Sequence, residues 1–307
     1  MARAQHPRDM ERPASAHGIP NEAGQVNAAA RFLATTLPAQ SGNIRRYDMP
    51  IAPGNDTPAS TQVVWLKKAG PPNPMWRYRV LGALASLLRL NLLQPVPNPG
   101  GNQAIALEAT RLRTLAELGL RAPAVLAAQA NGLLLTDLGT SQPGPSHLAP
   151  GPTLSVADLL ERSQTLDAQA VLGIWQKGLA SLTLVHAKGA YLSQAFARNL
   201  IWCPDGVIGY VDFEDDPGQV LSVAHCQARD WLCYLHSTAL ALESPATLAQ
   251  AAPLLKAALV TASPDVQQAM TQAAARLAWM QRLPRHRRWG RDMRRLRAAA
   301  ALLSVLR

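Results

Sequence analysis

Asp212, Phe213, Glu214, Asp215 and Asp216 put four carboxylates into one short stretch, and thirteen positions upstream of it stands Asn199, with Gln194 and Arg198 close by. Carboxylates so crowded can work as a general base, offer hard oxygen donors to a divalent cation, or cap the next helix from a solvated turn. Gln194 has no titratable group near neutral pH, so it can bond a hydroxyl but cannot take its proton. Arg198 adds positive charge, which either meets a phosphate or an acidic substrate or pairs with Asp215 or Asp216.

These residues need elements to position them. The run Gln62–Leu66 reads as a strand that delivers Lys67 and Lys68 before a Gly-Pro-Pro break. Ala104–Leu118 has apolar residues at three- and four-residue steps and Gly119 as a stop, which predicts a helix carrying Glu108 near its start. LRAPAVLA and GLLLTDLG read as two strands, and Thr140–Thr153 as a polar connector rich in Pro and Gly. Helices are predicted over Ser155–Arg162 and Leu166–Lys188, then a loop to Asn199, then a β-rich run Val207–Val211 that ends at Asp212. VLSVAHCQARDWLCYLHSTALAL reads as one long buried helix containing Asp230, and the chain to Met280 is helical and rich in Ala and Leu.

The stretch HAKGAYLSQAFARNLIWCPDGVIGYVD, His186 to Asp212, resembles the catalytic segment of the protein-kinase-like superfamily, in particular its aminoglycoside-phosphotransferase and lipopolysaccharide-kinase types. The resemblance implies a bilobal α+β fold, with a small β-plus-helix N-lobe and a mainly helical C-lobe. It implies ATP and magnesium as cofactors, Asn199 and Asp212 as metal ligands, Lys67 as the lysine that meets the nucleotide phosphates, and Glu108 as the helix carboxylate that holds that lysine. Lys68 is the reserve for Lys67. Asp230 is implied to brace the catalytic loop. Gln194 falls where the family places its catalytic Asp, and Leu192 and Ser193 replace the usual His and Gly. Glu214 stands where the family has Gly, and adds a metal ligand or a substitute base. No G-x-G-x-x-G loop precedes Lys67; the turn at Asn98–Gly101 either meets phosphate through its backbone N–H groups or is a plain turn.

With 307 residues, 48% of them apolar, the chain can bury a substantial core. Residues 1–48 are predicted as a loose N-terminal arm, with Met49 as an alternative start. Residues 49–139 are predicted as the N-lobe, with a hydrophobic and basic helical insertion over 71–101, and residues 140–307 as the C-lobe. Three cysteines without C-x-x-C spacing suit a reducing compartment, and no run of about 20 apolar residues is present to cross a bilayer. The expected location is cytoplasmic, with peripheral contact to the inner face of a bacterial membrane.

Basicity is local: residues 281–307 hold nine Arg and one Asp, a net +8 of the chain's +10. Met293, Leu296, Ala300 and Leu303, led by Trp289, fall at helical steps among arginines, as a basic amphipathic helix would have them. Residues 76–93 and 282–303 are the two predicted contacts with an anionic membrane surface, against a plain packing role for each. Nucleic acid ranks last as a partner, since no nucleic-acid-binding motif accompanies the arginines. The expected function is an atypical kinase-like phosphotransferase acting on a lipid or cell-envelope saccharide. The alternative is a catalytically inactive pseudokinase serving as a binding or regulatory module, which Gln194 and the missing Gly-rich loop favour.

Overall fold

Strand alternation builds the N-terminal sheet. In β2 (Ser60–Lys68), Val64 and Leu66 point to one face and Trp65 and Lys67 to the other. Val64 and Leu66 pack with Met49 and Leu134 against Ala29, Leu33 and Leu37, so one face of the sheet is covered by helix α1 (Glu22–Thr36) and the turn after it. The opposite face carries Trp65, Lys67 and Leu135 to a cleft. The sheet is antiparallel, in the order β1 (Ile44–Ile51), β2, β4 (Gly132–Thr136), β3 (Val125–Gln129). The computed structural model describes residues 22–51, 60–71, 92, 94, 96, 98, 100–139, 153–163, 167–284 and 290–307, and it is α+β.

The loose arm expected over residues 1–48 is corrected for its second part, which forms α1 and most of β1. β1 is an edge strand on which Met49 is the buried side chain, so Arg45, Arg46, Asp48 and Pro50 can occupy it without a visible apolar alternation. A chain starting at Met49 would lack α1 and Ile44–Asp48, five of the eight residues of that strand.

Helix α2 (Gly101–Glu117) buries Ala104, Ile105, Glu108, Ala109, Leu112 and Leu115 on one stripe, against the sheet and the helical part of the chain. It ends in a Schellman motif: Gly119 takes φ +66°, its N–H donates to Ala116 O, and Leu120 N–H donates to Leu115 O. Ahead of α2, Asn98 Oδ1 accepts from Gly100 N–H at 2.9 Å, and Gly100 and Gly101 do not line the cleft.

The rest is mainly helical. α3 (Val156–Ser163) and α4 (Ala168–Ala187) precede a loop, and the small antiparallel sheet β5 (Leu154–Ser155), β6 (Leu200–Trp202), β7 (Ile208–Tyr210) lies beside them. Helices α5 (Val223–Thr238), α6 (Pro245–Val260), α7 (Pro264–Leu277) and α8 (Arg291–Leu303) close the chain. The serines before α5, α6 and α7 cap them, each accepting from a backbone N–H of the first turn. α4 and α5 approach closely at Gly178, where a Cβ would lie 2.0 Å from the Tyr234 hydroxyl. One continuous core runs from Ile105 and Leu135 through Trp175 and Trp231 to Leu302, so it spans both sides of the cleft.

The insertion helix expected at 76–93 lies outside the described residues, apart from Leu92, which is buried. Arg229 of α5 donates to Leu92 O and Gln94 O, which ties the end of that segment to the helical part. Among the described residues no helix is long and apolar enough to cross a membrane.

Candidate functional site

Between the face of the four-stranded sheet and the small sheet lies a cavity of about 440 Å³. Its apolar part is walled by Ile44, Trp65, Leu135, Leu138, Ile201 and Val211, and its polar part by Lys67, Glu108, Asn199, Asp212 and Glu214. The polar residues come from distant elements. Strand β2 brings Lys67, α2 brings Glu108, the turn before β6 brings Asn199, and the segment after β7 brings Asp212 and Glu214.

Lys67 is the centre of this group. Its Nζ lies 2.6 Å from Glu108 Oε2, 2.9 Å from Glu214 Oε1 and 3.9 Å from Asp212 Oδ1. Burial pulls the lysine pKa down, but Glu108 and Glu214 outweigh it and hold it above its ordinary value. On Glu108, at 3% exposure, burial pushes the pKa up more than Lys67 lowers it. The question of which lysine faces the cleft is settled by strand alternation in favour of Lys67 over Lys68.

Asn199 Nδ2 donates to Gln194 O at 2.9 Å and to Asp212 Oδ2 at 3.3 Å. Both amide hydrogens are thereby committed, and Oδ1 is left as the acceptor. Asp212 is the non-glycine residue with a left-handed backbone among the described residues, at φ +75°. Such conformations cost of order 1–3 kcal/mol and collect at functional sites.

The acidic run divides its labour. Asp212 and Glu214 face the cleft. Asp216 Oδ1 accepts from Gly218 N–H at 3.0 Å and from Tyr191 O–H at 2.6 Å, so it caps the short turn Pro217–Gln219. Asp215 turns inward and is buried, and its Oδ2 accepts from Gln194 Nε2 at 2.9 Å. Burial pushes its pKa up to about 6, against the pull of Gln194 and Arg229. Asp215 Oδ1 has no hydrogen-bond partner.

Gln194 is adjacent to the cleft rather than among the residues that line it, and its amide is oriented by Asp215. Arg198 pairs with neither Asp215 nor Asp216; it is exposed and lies 4.5 Å over the Phe196 ring. Its position one residue from Asn199 on a tight turn points it outward.

The loop that carries Gln194 is braced from behind by α5. Asp230 Oδ2 accepts from Leu192 N–H at 2.7 Å and lies 3.1 Å from His186 Nε2, and Gln227 Nε2 donates to Ala190 O and His186 O. Arg111 is a contributor that sequence reasoning missed. It lies one helical turn after Glu108, donates to Tyr191 O at 2.7 Å and stacks over the Tyr191 ring at 4.3 Å, linking α2 to the same loop. Its spacing from Glu108, i to i+3, was the available signal.

Asp212, Glu214 and the Asn199 amide are hard oxygen donors of the kind magnesium takes alongside substrate phosphates. Among the described residues no three His, Cys, Asp or Glu side chains form a metal-holding group by themselves, so a cation here would draw on the amide and on a ligand as well.

Helix α8 spends its apolar face on the protein: Ala298, Ala299, Ala300, Leu302 and Leu303 are buried. Arg294 and Arg297 pair with Glu243 at 2.8 and 3.8 Å, and Arg291 with Glu161 at 3.6 Å. Trp289, which headed the expected amphipathic pattern, lies outside the described residues. Compared with known proteins, the chain matches no family model and no curated protein.

Proposed function

We propose that this chain is a bilobal kinase-like phosphotransferase whose cleft binds ATP together with magnesium. The observation that carries the reading is convergence: Lys67, Glu108, Asn199 and Asp212 come from separate elements and line one cleft, with Lys67 and Glu108 in a buried ion pair. The apolar part of the cavity, with Trp65 and Leu135, suits a planar base, and the polar part suits a phosphate chain. Bound magnesium supplies charge neutralisation to the phosphates, with Asp212, Glu214 and Asn199 Oδ1 as its holders.

The chain's own residues then do positional work. Glu108 fixes Lys67, which supplies N–H donors to phosphate oxygens. Asn199 ties the loop backbone at Gln194 to Asp212. Gln194, held by Asp215, offers its amide oxygen to an acceptor hydroxyl and orients it without taking the proton. A general base contributes about 10²–10⁴-fold, so transfer survives its loss at a reduced rate.

The test is ATP binding with magnesium, and phosphate release or transfer, compared between the native chain and Asp212→Asn. Native binding with slow turnover, abolished in the variant, supports the proposal, and no binding by the native chain overturns it. The second reading, a pseudokinase, is favoured by one observation: the position opposite Asn199 in the loop holds an amide clamped to a buried carboxylate. Magnesium-dependent binding without turnover selects it.

A further inference from the structure

We propose, on the footing of the nucleotide reading above, that Glu214 is a resident anion on Lys67, so that the cleft admits a polyphosphate as its divalent-cation complex and turns away the free anion. A lysine has three N–H donors. Those of Lys67 face Glu108 at 2.6 Å, Glu214 at 2.9 Å and, at a longer 3.9 Å, Asp212. The phosphate seat is therefore already filled by carboxylate oxygens.

The two close partners differ in freedom. The Glu108 side chain is 3% exposed, and moving it would strand a buried charge. That of Glu214 is 41% exposed and can swing to water at little cost. Glu214 is the partner a ligand displaces.

Charge decides which ligand can do so. One cation stands against three carboxylates around Lys67, so a free polyphosphate meets like charge from Asp212 and Glu214 and finds the lysine engaged. A polyphosphate that arrives with a hard divalent cation reverses both obstacles. Asp212 and Glu214 turn to the cation as oxygen ligands, and Lys67 gives the released N–H to a phosphate oxygen. No bond is made or broken in this exchange; carboxylate and phosphate trade partners.

The experiment is titration calorimetry of the full chain with ATP, once in chelator and once with excess magnesium, on the native protein and on Glu214→Gln. The glutamine keeps size and loses charge at a partly exposed position, and an unchanged unfolding midpoint verifies the fold. The native chain should bind magnesium–ATP at least about tenfold more tightly than free ATP, and Glu214→Gln should bind free ATP about tenfold more tightly than the native chain, narrowing that ratio. Equal native affinity for the two forms overturns the proposal. So does a variant whose affinity for free ATP is unchanged or weaker, and in that case the nucleotide reading stands. If neither chain binds ATP in either form, the nucleotide reading falls first, and this inference falls with it.

Discussion

The loop from His186 to Asn199 is held by two buried carboxylates that differ in what they bond, although burial pushes the pKa of both up. At the rear, Asp230 is wholly buried on α5 and meets a backbone N–H and the His186 ring. At the front, the Asp215 carboxylate meets the side-chain amide of Gln194, and each of the two carboxylates keeps one oxygen without a hydrogen-bond partner. The rear carboxylate satisfies groups that the fold must bury in any case. The front one serves a side chain that could have faced solvent, so its burial is a cost that packing does not recover. Asp230 braces the loop backbone, whereas the Asp215 carboxylate orients one side chain, Gln194.

The sharpest way to break this contrast is Asp230→Ala. It strands Leu192 N–H and His186 in the interior and should cost about 3–5 kcal/mol of stability by chemical denaturation. A loss below about 1 kcal/mol would remove the distinction.

Asp215→Asn should move the other way. Asp215 has its folded pKa raised from 3.8 to about 6, so the folded state holds a proton that the unfolded state has released between those values. Its penalty is absent below about pH 4, grows as pH rises, and is complete above about pH 6, where it amounts to roughly 3 kcal/mol. In chelator, the asparagine variant should therefore gain up to that amount at pH 7.5 and almost nothing at pH 4. A variant less stable than the native chain at both pH values would make Asp215 a second brace. The smallest effect is expected far from the loop: Glu243→Ala breaks the partly exposed pairs to Arg294 and Arg297 and should cost about 1 kcal/mol, with α8 still packed through its alanines and leucines.

The contrast also explains what could be read in advance. Asn199 and Asp212 were legible through the resemblance of His186–Asp212 to a kinase catalytic segment, and the β6–β7 hairpin between them brings the two together. Glu108 was legible as the lysine's partner only through that resemblance, since taken alone it reads as an exposed helix carboxylate; in the fold it lies on the buried stripe of α2 between Ile105 and Leu112. Alternation in β2 carried Lys67 to the cleft with Trp65. What escaped was set by packing from elsewhere. α1 and β1 were hidden because an edge strand needs no inward pattern on its polar side, although Ala29, Leu33 and Leu37 at four-residue steps marked the covering helix. The inward turn of Asp215 among four neighbouring acids depends on the Gln194 amide, which no local pattern reveals. The arginine-rich end looked amphipathic from its sequence, but its apolar side faces the protein's own helices.

The left-handed backbone at Asp212 bears on which residues this position could tolerate. By conformational preference a glycine would be cheaper there by about 1–2 kcal/mol, and asparagine is among the few other residues that accept it readily. Valine or isoleucine, branched at Cβ, would be strained at this φ. Aspartate tolerates the left-handed region as asparagine does, and it adds oxygens that accept from Asn199 and face Lys67.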